Sequence, residues 1–179
     1  MPNGRASPPV DNPIVRPATP ADAPTIVALI RELAIYEKEP LTSVRATEAD
    51  VLRDGFGPTP RFECLLAELE GRPAGFALFF HNYSTWEGRA GIYIEDLFVS
   101  EWARGRNIGR RLLAAVAAIA ESRGCRRVDL SVLQWNPARA FYERIGLVEM
   151  SEWRPYRLKD AALATLAAEG RSAGMTSRP

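Results

Sequence analysis

The sequence predicts an α/β (α+β) fold in which helices pack on a mixed β-sheet. Two observations lead to this fold class. The stretches "FECLLAELEGRPAGFALFFHNY" at 62–83 and "AGIYIEDLFVS" at 90–100 predict three consecutive antiparallel strands, a meander. Later in the chain strands alternate with helices, which favours parallel pairing. This order of elements fits neither a doubly wound dinucleotide-binding fold nor a barrel.

A short strand in "PIVRPAT" and two helices precede the meander. Thr19 or Asp22 can cap the first helix, which we expect to run to about Tyr36. Its apolar positions recur with the helical period and are Ile26, Leu29, Ile30 and Leu33. A second, short helix is predicted over 48–53, because the glycines and prolines of "DGFGPTP" end any regular element.

A longer helix is predicted after the meander, from Asn107 to about Ser122. Its apolar face consists of Ile108, Leu112, Leu113, Val116 and Ile119. The stretch "RRVDLSVL" then predicts a strand, and "NPARAFYERIG" a short helix that Gly146 closes. We expect "RPYRLKD" at 154–160 to form a last strand before a C-terminal helix.

Length and composition indicate one globular domain. The chain has 179 residues, of which 46% are hydrophobic and 25% charged, as in soluble globular proteins. We expect a single domain over 13–169 and disordered tails at 1–12 and 170–179, which lack apolar periodicity. Since no stretch has the length of a signal-peptide core or a membrane span, we expect a cytoplasmic protein without a membrane partner.

Charge and cysteine usage argue against two kinds of site. The formal net charge is +1, so no general attraction for nucleic acid is expected. The two cysteines, Cys64 and Cys125, lie far apart, and His81 is the one histidine, so we expect no metal site. We expect both thiols to be reduced, and we assign no role to His81.

An arginine- and glycine-rich turn, "ARGRNIGRR", joins the third meander strand to the long helix. The first N–H groups of a helix lack partners and lie at the positive end of its dipole, which suits an anion. Gly105, Asn107 and Gly109 allow positive φ or a close approach of the main chain. Positive charge comes from Arg104, Arg106, Arg110 and Arg111. The turn suits a diphosphate, but taken alone it fits a solvated arginine patch about equally well.

Other nucleotide and nucleic-acid sites are disfavoured. The turn lacks the GK[ST] ending of a P-loop, and no GxGxxG occurs in an early βαβ unit. An RNA-binding surface should interleave aromatic with basic residues in a basic domain, and the sequence shows neither feature.

The stretch "VSEWARGRNIGRRLL" at 99–113 resembles the acyl-CoA diphosphate loop of the GNAT superfamily of N-acetyltransferases. That loop has the pattern R/Q-x-x-G-x-G/A and opens a helix. Arg104, Asn107 and Gly109 occupy the patterned positions, with Asn107 in place of the usual glycine. The stretch "LQWNPARAFYERIG" at 133–146 resembles the second signature of the superfamily, an Asn that opens a helix and a Tyr near its end.

Six motifs in the same order resemble one subgroup, the diamine (spermidine/spermine) and thialysine N-acetyltransferases. They span Val15 to Lys159 and are "VRPATPAD", "RELAIYE", "DGFG", "YSTWEGR", "YIEDLFV" and "WNPARAFYERIG". The resemblance implies a mostly antiparallel twisted sheet with helices on both faces and an acyl-CoA cleft between splayed central strands. It also implies a homodimer that transfers acetyl from acetyl-CoA to a primary amine of a small cationic substrate.

The resemblance implies a set of cofactor-binding residues. The backbone of 97–99 would pair with the pantetheine arm of acetyl-CoA, and Asn136 would contact that arm besides capping a helix. The full set is Leu97, Phe98, Val99, Arg104, Gly105, Arg106, Asn107, Ile108, Gly109, Arg110, Asn136, Arg139 and Tyr142.

The implied reaction needs a proton acceptor, because an alkyl ammonium has a pKa of about 10.4 and no free lone pair. Glu95 and Asp96 would point to opposite faces of a regular strand; the resemblance implies a bulge there. We expect Glu95 to accept the proton, through water, and Tyr142 to protonate the departing thiolate. On the residues alone, each carboxylate could face solvent and Tyr142 could belong to the core.

Carboxylates and an aromatic face suit a cationic amine. The predicted substrate-binding residues are Tyr36, Glu37, Ser84, Trp86, Glu95 and Asp96. Diamine enzymes have an acidic residue at the position of Ser84, whereas thialysine-type enzymes share "YSTW" with this chain, which favours a lysine-like amino acid. We expect direct attack in a ternary complex, because neither cysteine has a base nearby in sequence. A protein N-terminus or lysine, an aminoglycoside, and a non-catalytic acyl-CoA-sensing role stay open as alternatives.

Overall fold

Two compact units make up the described part of the chain. The structure is a computed structural model that describes residues 12–172. The first unit ends at Ser131, and the second begins at Val132. The tails predicted at 1–12 and 170–179 lie outside the described residues, except for Asn12 and residues 170–172. The single domain over 13–169 stays a prediction.

A five-stranded sheet forms the framework of the first unit. Its strands, in spatial order, are β1 (Ile14–Pro17), β2 (Glu63–Leu69), β3 (Arg72–Ser84), β4 (Arg89–Val99) and β5 (Val128–Leu130). The first four strands pair antiparallel, and β5 pairs in parallel with β4. The predicted mixed, mostly antiparallel sheet is therefore confirmed, including its meander of three strands.

Three helices belong to the first unit. They are α1 (Ala23–Tyr36), α2 (Glu48–Phe56) and α3 (Ile108–Ser122). The ends of α1 and α3 agree with the prediction, whereas α2 continues past the predicted end at Arg53 to Phe56. Thr47 caps α2, because its Oγ1 accepts the N–H of Asp50 at 3.2 Å.

Helices cover both faces of the sheet. On one face, α1 and α2 bury an apolar core that includes Ile26, Leu29, Val51, Phe76, Leu78 and Phe98. The alternating residues of β3 and β4 point to the other face, which α3 covers with Ile108, Leu112 and Val116. Burial of these side chains supplies most of the favourable free energy of folding.

The second unit contains α4 (Ala138–Arg144) and α5 (Asp160–Ser172). The short helix closed by Gly146 is confirmed, and Gly146 has a φ of +97°. The last strand predicted at 154–160 is wrong, because 154–159 form no regular element and α5 begins at Asp160. The side chains of 154–159 are exposed, and Pro155 has no N–H to donate to a neighbouring strand. Among residues 12–172, no strand pairs with this stretch.

Two smaller points concern the ends of the described chain. Residues 170–172, assigned above to a tail, continue α5, where Ser172 Oγ donates to the carbonyl oxygen of Ala168 at 3.0 Å. The alanine-rich stretch before them favours helix strongly enough to carry it past Gly170. Within residues 12–172, every helix is too short or too polar to cross a membrane.

Candidate active site

A β-bulge interrupts the pairing of β3 with β4 at Glu95. Phe79 pairs with Ile94, whereas its neighbour Leu78 pairs with Asp96, so Glu95 is one extra residue on β4. The side chain of Glu95 is exposed. The bulge that the family resemblance implied is therefore confirmed.

The bulge decides on which face of the sheet Asp96 lies. Residues that pair across two strands share a face, so Ile94 lies with Phe79 on the α3 face. Asp96 lies with Leu78 on the α1 face, although regular alternation would put it on the same face as Ile94. One inserted residue thus turns the Asp96 carboxylate towards α1.

The negative charges of Glu95 and Glu37 act on the carboxyl of Asp96 beside this bulge. Burial, followed by the negative charges of Glu95 and Glu37, raises the pKa of the half-buried Asp96 carboxyl to about 7. Glu37 directly follows α1, and its pKa is also raised, by burial and then by the charge of Glu39. A cation placed here would relieve this repulsion, so the cluster suits an ammonium group.

The aromatic ring of Tyr36 adjoins this region. Tyr36 is the last residue of α1, and its ring centroid lies 6.2 Å from that of Phe98 on β4. The guanidinium of Arg104, at the start of the arginine-rich turn, stacks over Tyr36 and lies 5.9 Å from the Phe98 ring. Arg104 Nε also donates to the carbonyl oxygen of Val99 at 3.1 Å. Residues from α1, β4 and the turn therefore meet on one face.

Only a short part of one edge of β4 pairs with β5. Pairing covers only Ile92, Tyr93 and Ile94 and stops just before the bulge. Within residues 12–131, no strand pairs with this edge over 95–99, the stretch predicted to contact the acyl-CoA arm. The side chain of Phe98 is buried in the core, so only its backbone can face a ligand. A cofactor role for 97–99 stays a prediction.

The turn before α3 has the conformation of an anion-binding loop. Gly105 has a φ of +77°, and Asn107, directly before the helix, has a φ of +62°. Asn107 thus adopts the left-handed conformation that a glycine would adopt there. The first bond of α3 runs from the N–H of Arg111 to the carbonyl oxygen of Asn107, at 3.1 Å. The N–H groups of 108–110 precede this bond and are directed out of the helix start.

Three of the four arginines in this turn are placed to add charge to it. Arg104, Arg106 and Arg110 are exposed, and Arg106 is only loosely paired, 3.7 Å from Glu70. Arg111 instead donates to the carbonyl oxygen of Pro13 at 3.0 Å and to Asn12 Oδ1 at 2.9 Å. Arg111 therefore holds the start of β1, while the other three fit a diphosphate.

Two predicted substrate residues lie at the far end of the β3–β4 hairpin. Ser84 is buried, and its Oγ accepts the N–H of Glu87 at 3.2 Å, whereas Trp86 in the turn is 86% exposed. Ser84 pairs with Arg89, which is about 20 Å along β4 from Asp96 at the usual rise per residue. The first unit does not bring Ser84 and Trp86 to the carboxylates, and their role in amine binding stays a prediction.

The second unit carries three of the predicted residues. Asn136 is buried, and its Oδ1 accepts the N–H of Ala138 at 2.9 Å, which confirms its predicted helix cap. Arg139 donates to Glu149 Oε2 at 2.9 Å. Tyr142 on α4 is half-buried, with its ring 5.4 Å from that of Phe141. Their roles towards a cofactor stay predictions.

One polar contact near the site was missed in the sequence. Ser100 follows β4 and is 1% exposed, and its Oγ donates to Glu32 Oε2 at 2.6 Å. Glu32 lies one helical turn before Tyr36, so this bond ties the end of β4 to the part of α1 that carries the site. The available signal was a serine placed between an apolar strand and the turn.

Comparison with known proteins supplies the family. A model of the acetyltransferase (GNAT) family matches residues 29–147. The chain is 37% identical over 166 residues to a thialysine N-epsilon-acetyltransferase from Bos taurus, covering 86% of this chain and 96% of that protein. It is 31% identical over 199 residues to an L-ornithine N5-acetyltransferase from Arabidopsis thaliana, covering 85% of this chain and 86% of that one.

Solved structures show the same fold. An integron cassette protein from the mobile metagenome of V. cholerae has a TM-score of 0.73 and 27% identity, over 87% of this chain and 98% of that chain. An aminoglycoside acetyltransferase from a soil metagenomic sample has a TM-score of 0.68 and 22% identity, over 84% of this chain and 99% of that one. This second likeness concerns the fold alone.

Proposed function

Since the chain belongs to the acetyltransferase (GNAT) family and is an N-acetyltransferase, we propose that it acetylates a primary amine of a small cationic substrate, with acetyl-CoA as donor. The substrate class proposed is a lysine-like diamino acid or a diamine. The attack on the acetyl group is direct, within a ternary complex.

One observation carries the proposed substrate class: the group of carboxylates beside the bulge. Burial and, after it, the negative charges of Glu95 and Glu37 raise the pKa of Asp96 to about 7. An ammonium group bound here would lower that pKa again and would gain the attraction of two or three negative charges. The adjoining ring of Tyr36 adds a face that suits a cation.

The same carboxylates can remove the proton that blocks the reaction. The amine must lose a proton before its nitrogen can attack, and a carboxylate within reach of it, directly or through one water, can take that proton. We assign this step to Glu95, which is exposed at the bulge and can act through water. Asp96 and Glu37 hold the cation in place.

Two further groups complete the proposed chemistry. Backbone N–H groups of 97–99, on the strand edge that β5 leaves open in the first unit, would hold the carbonyl oxygen as it gains charge. Tyr142 on α4 would give its phenolic proton to the leaving sulfur. The assignment of Tyr142 depends on the second family signature rather than on a measured distance.

Acetyl-CoA is the acyl donor of GNAT acetyltransferases, and when bound it supplies an activated acetyl group as a thioester. The residues before α3 fit its diphosphate: Asn107 and Gly105 have positive φ, and the N–H groups of 108–110 point out of the helix start. Arg104, Arg106 and Arg110 add the opposite charge.

The similar proteins favour an amino acid over a long polyamine. They include a thialysine N-epsilon-acetyltransferase and an L-ornithine N5-acetyltransferase, and both names describe an amine on an amino acid side chain. This chain has Ser84 where diamine enzymes have an acidic residue, so one carboxylate that could pair with a remote second ammonium is missing at that position. We therefore rank thialysine, lysine and ornithine above spermidine.

The test is a panel of amines with free CoA detected by a thiol reagent. The panel contains thialysine, lysine, ornithine, putrescine, spermidine, a peptide N-terminus and an aminoglycoside. We expect kcat/KM to be highest for the diamino acids and to fall about tenfold or more in Asp96→Asn. Glu101→Gln, which removes an exposed carboxylate outside the cluster, should leave kcat/KM unchanged.

Two other outcomes of this panel would contradict the proposal. Acetyl-CoA binding by calorimetry without thiol release from any amine would indicate a sensing module. A higher kcat/KM for the peptide or the aminoglycoside than for every diamino acid would overturn the proposed substrate class.

A further inference from the structure

A second group of reactive side chains lies on the α3 face of the first unit. The Sγ of Cys125, just after α3, lies 3.8 Å from Nδ1 of His81 on β3. Nη1 of Arg123 lies 3.1 Å from Nε2 of the same histidine, and Arg123 also pairs with both carboxylate oxygens of Glu63. Acyl transfer as proposed above uses none of these residues.

The neighbours of His81 determine where its proton lies. Nδ1 is 3.3 Å from the carbonyl oxygen of Gly91, which can only accept, and Nε2 faces Arg123, which can only donate. The hydrogen is therefore on Nδ1, and Nε2 is the acceptor. Nδ1–H can also donate to the sulfur of Cys125, which lies 3.8 Å away.

An open cavity of about 890 Å³ adjoins Cys125. It is an open depression in the surface rather than an enclosed pocket, so a small molecule can approach the thiol from solvent. Small side chains of α3 leave space for it, namely Ala114, Ala117 and Ala118. The charged groups that line it are Arg89, Arg126, Arg127 and Glu121.

The charge of this cavity is positive, because Arg89 and Arg126 outweigh the single carboxylate of Glu121 once Arg127 is paired. Arg127 is neutralised, because its Nε pairs with Asp129 Oδ2 at 2.8 Å. Among residues 12–172, no carboxylate pairs with Arg89 or Arg126, and both side chains are exposed. A ligand that carries carboxylates would therefore be drawn to the cavity next to the thiol.

We propose that Cys125 is a modification site that forms a reversible mixed disulfide with a small disulfide carrying carboxylates, of the glutathione type. The geometry supplies a thiol with an N–H donor beside it and an open, positively charged surface cavity next to it. This proposal does not depend on the proposed acyl transfer, because Cys125 precedes β5 at the end opposite to the bulge.

The reaction balances as a thiol–disulfide exchange. The proton of Cys125 goes to water, since Nε2 of His81 already accepts from Arg123. The thiolate attacks one sulfur of the reagent, a new S–S bond forms, and the reagent's own S–S bond breaks. The released half leaves as a thiolate and takes up a proton, so Cys125 is oxidised and the released thiol is the reduced product.

The first experiment treats the full-length protein with glutathione disulfide and maps the adduct by mass spectrometry. We expect one glutathionyl group, on Cys125, and its removal by a reducing thiol. Cys64 is the internal control, because it is buried and burial raises its pKa to about 12. An adduct on Cys64 at a comparable rate, or none on Cys125, would overturn the proposal.

The second experiment tests the charge of the cavity, first with the unmodified chain and then with variants. Glutathione disulfide should react about tenfold faster than cystamine, a disulfide that carries two ammonium groups. The double variant Arg89→Gln/Arg126→Gln should lose this preference, while Arg61→Gln, at an exposed arginine outside the cavity, should keep it. Equal rates of both disulfides with the unmodified chain would contradict a site built for an anion.

Discussion

The guanidinium carbon of Arg104 lies 4.2 Å from the centroid of the Tyr36 ring. Arg104 begins the loop that we assign to the diphosphate, and Tyr36 ends the helix that we assign to the amine. This stacking therefore joins the two halves of the proposed site. A planar guanidinium is suited to it, because it can stack on a ring and still donate through Nε to Val99.

Arg104→Lys should raise the KM for the amine about two- to fivefold, because lysine keeps the charge but loses the stacking that positions Tyr36. The measurement is steady-state kinetics with each substrate varied in turn. Arg110→Lys is the matched control, since Arg110 is exposed in the same loop without a contact to Tyr36 in the structure. If both variants change only the KM for acetyl-CoA, the stacking has no part in amine binding.

Glu95→Gln should lower kcat about a hundredfold and weaken the rise of rate with pH, because glutamine cannot accept the proton of the ammonium. A pH–rate profile measured with the best amine of the panel tests this. Glu101→Gln serves as the control for a nearby exposed carboxylate. A profile of Glu95→Gln that coincides with that of the unmodified enzyme would remove Glu95 as the proton acceptor.

Tyr142→Phe should lower kcat by about tenfold or more while leaving the Kd of acetyl-CoA within about twofold, because only the phenolic proton is lost. Turnover and calorimetric titration of acetyl-CoA together separate these effects. Tyr156→Phe, at a tyrosine that is 94% exposed, is the control. An unchanged kcat would reject Tyr142 as the acid and would favour a purely packing role beside Phe141.

Asp96→Asn should make the free energy of unfolding less dependent on pH. The pKa of Asp96 is about 7 in the folded protein, above its usual value of about 3.9 in an unfolded chain. Between these pH values the folded state binds more protons, so stability falls as pH rises from about 4 to about 7 and then levels off. The asparagine variant lacks this fall and should gain on the order of 2 kcal/mol relative to the unmodified chain at pH 8.

Denaturant unfolding at pH 5 and pH 8 measures this difference. Glu101→Gln accounts for the general effect of removing a negative charge. A variant of Asp96 that keeps the full pH dependence of the unmodified chain would show that Asp96 ionises normally in the fold.

Much of the local structure was predictable from neighbouring residues. The apolar period of α1 and α3 and the glycine after α4 act over a few residues, so the sequence shows them directly. The strand expected at 154–160 does not form, because strand pairing depends on residues that are far away in the sequence. Its local pattern was acceptable, but a strand also needs a partner, which residues near it in sequence cannot supply.

The candidate site also has one part that local sequence predicts and another that depends on pairing between distant residues. The turn from Arg104 to Arg110 was recognisable, because its glycines, its arginines and the helix after it are contiguous. The hairpin separates Ser84 from Asp96 by about 20 Å, and that separation depends on strand register. Likewise, His81 and Cys125 each seemed isolated in the sequence, and they meet only because α3 returns the chain to β3.

By itself, then, the sequence determined the order of the elements as far as α4, the loop before α3 and the family, because each of these depends on short-range patterns and motifs. The tertiary structure alone decided which residues share a face. The extra residue Glu95 turns Asp96 towards Glu37, and sheet pairing brings His81 to Cys125. Register and packing over long sequence separations set these relations, and no local propensity encodes them.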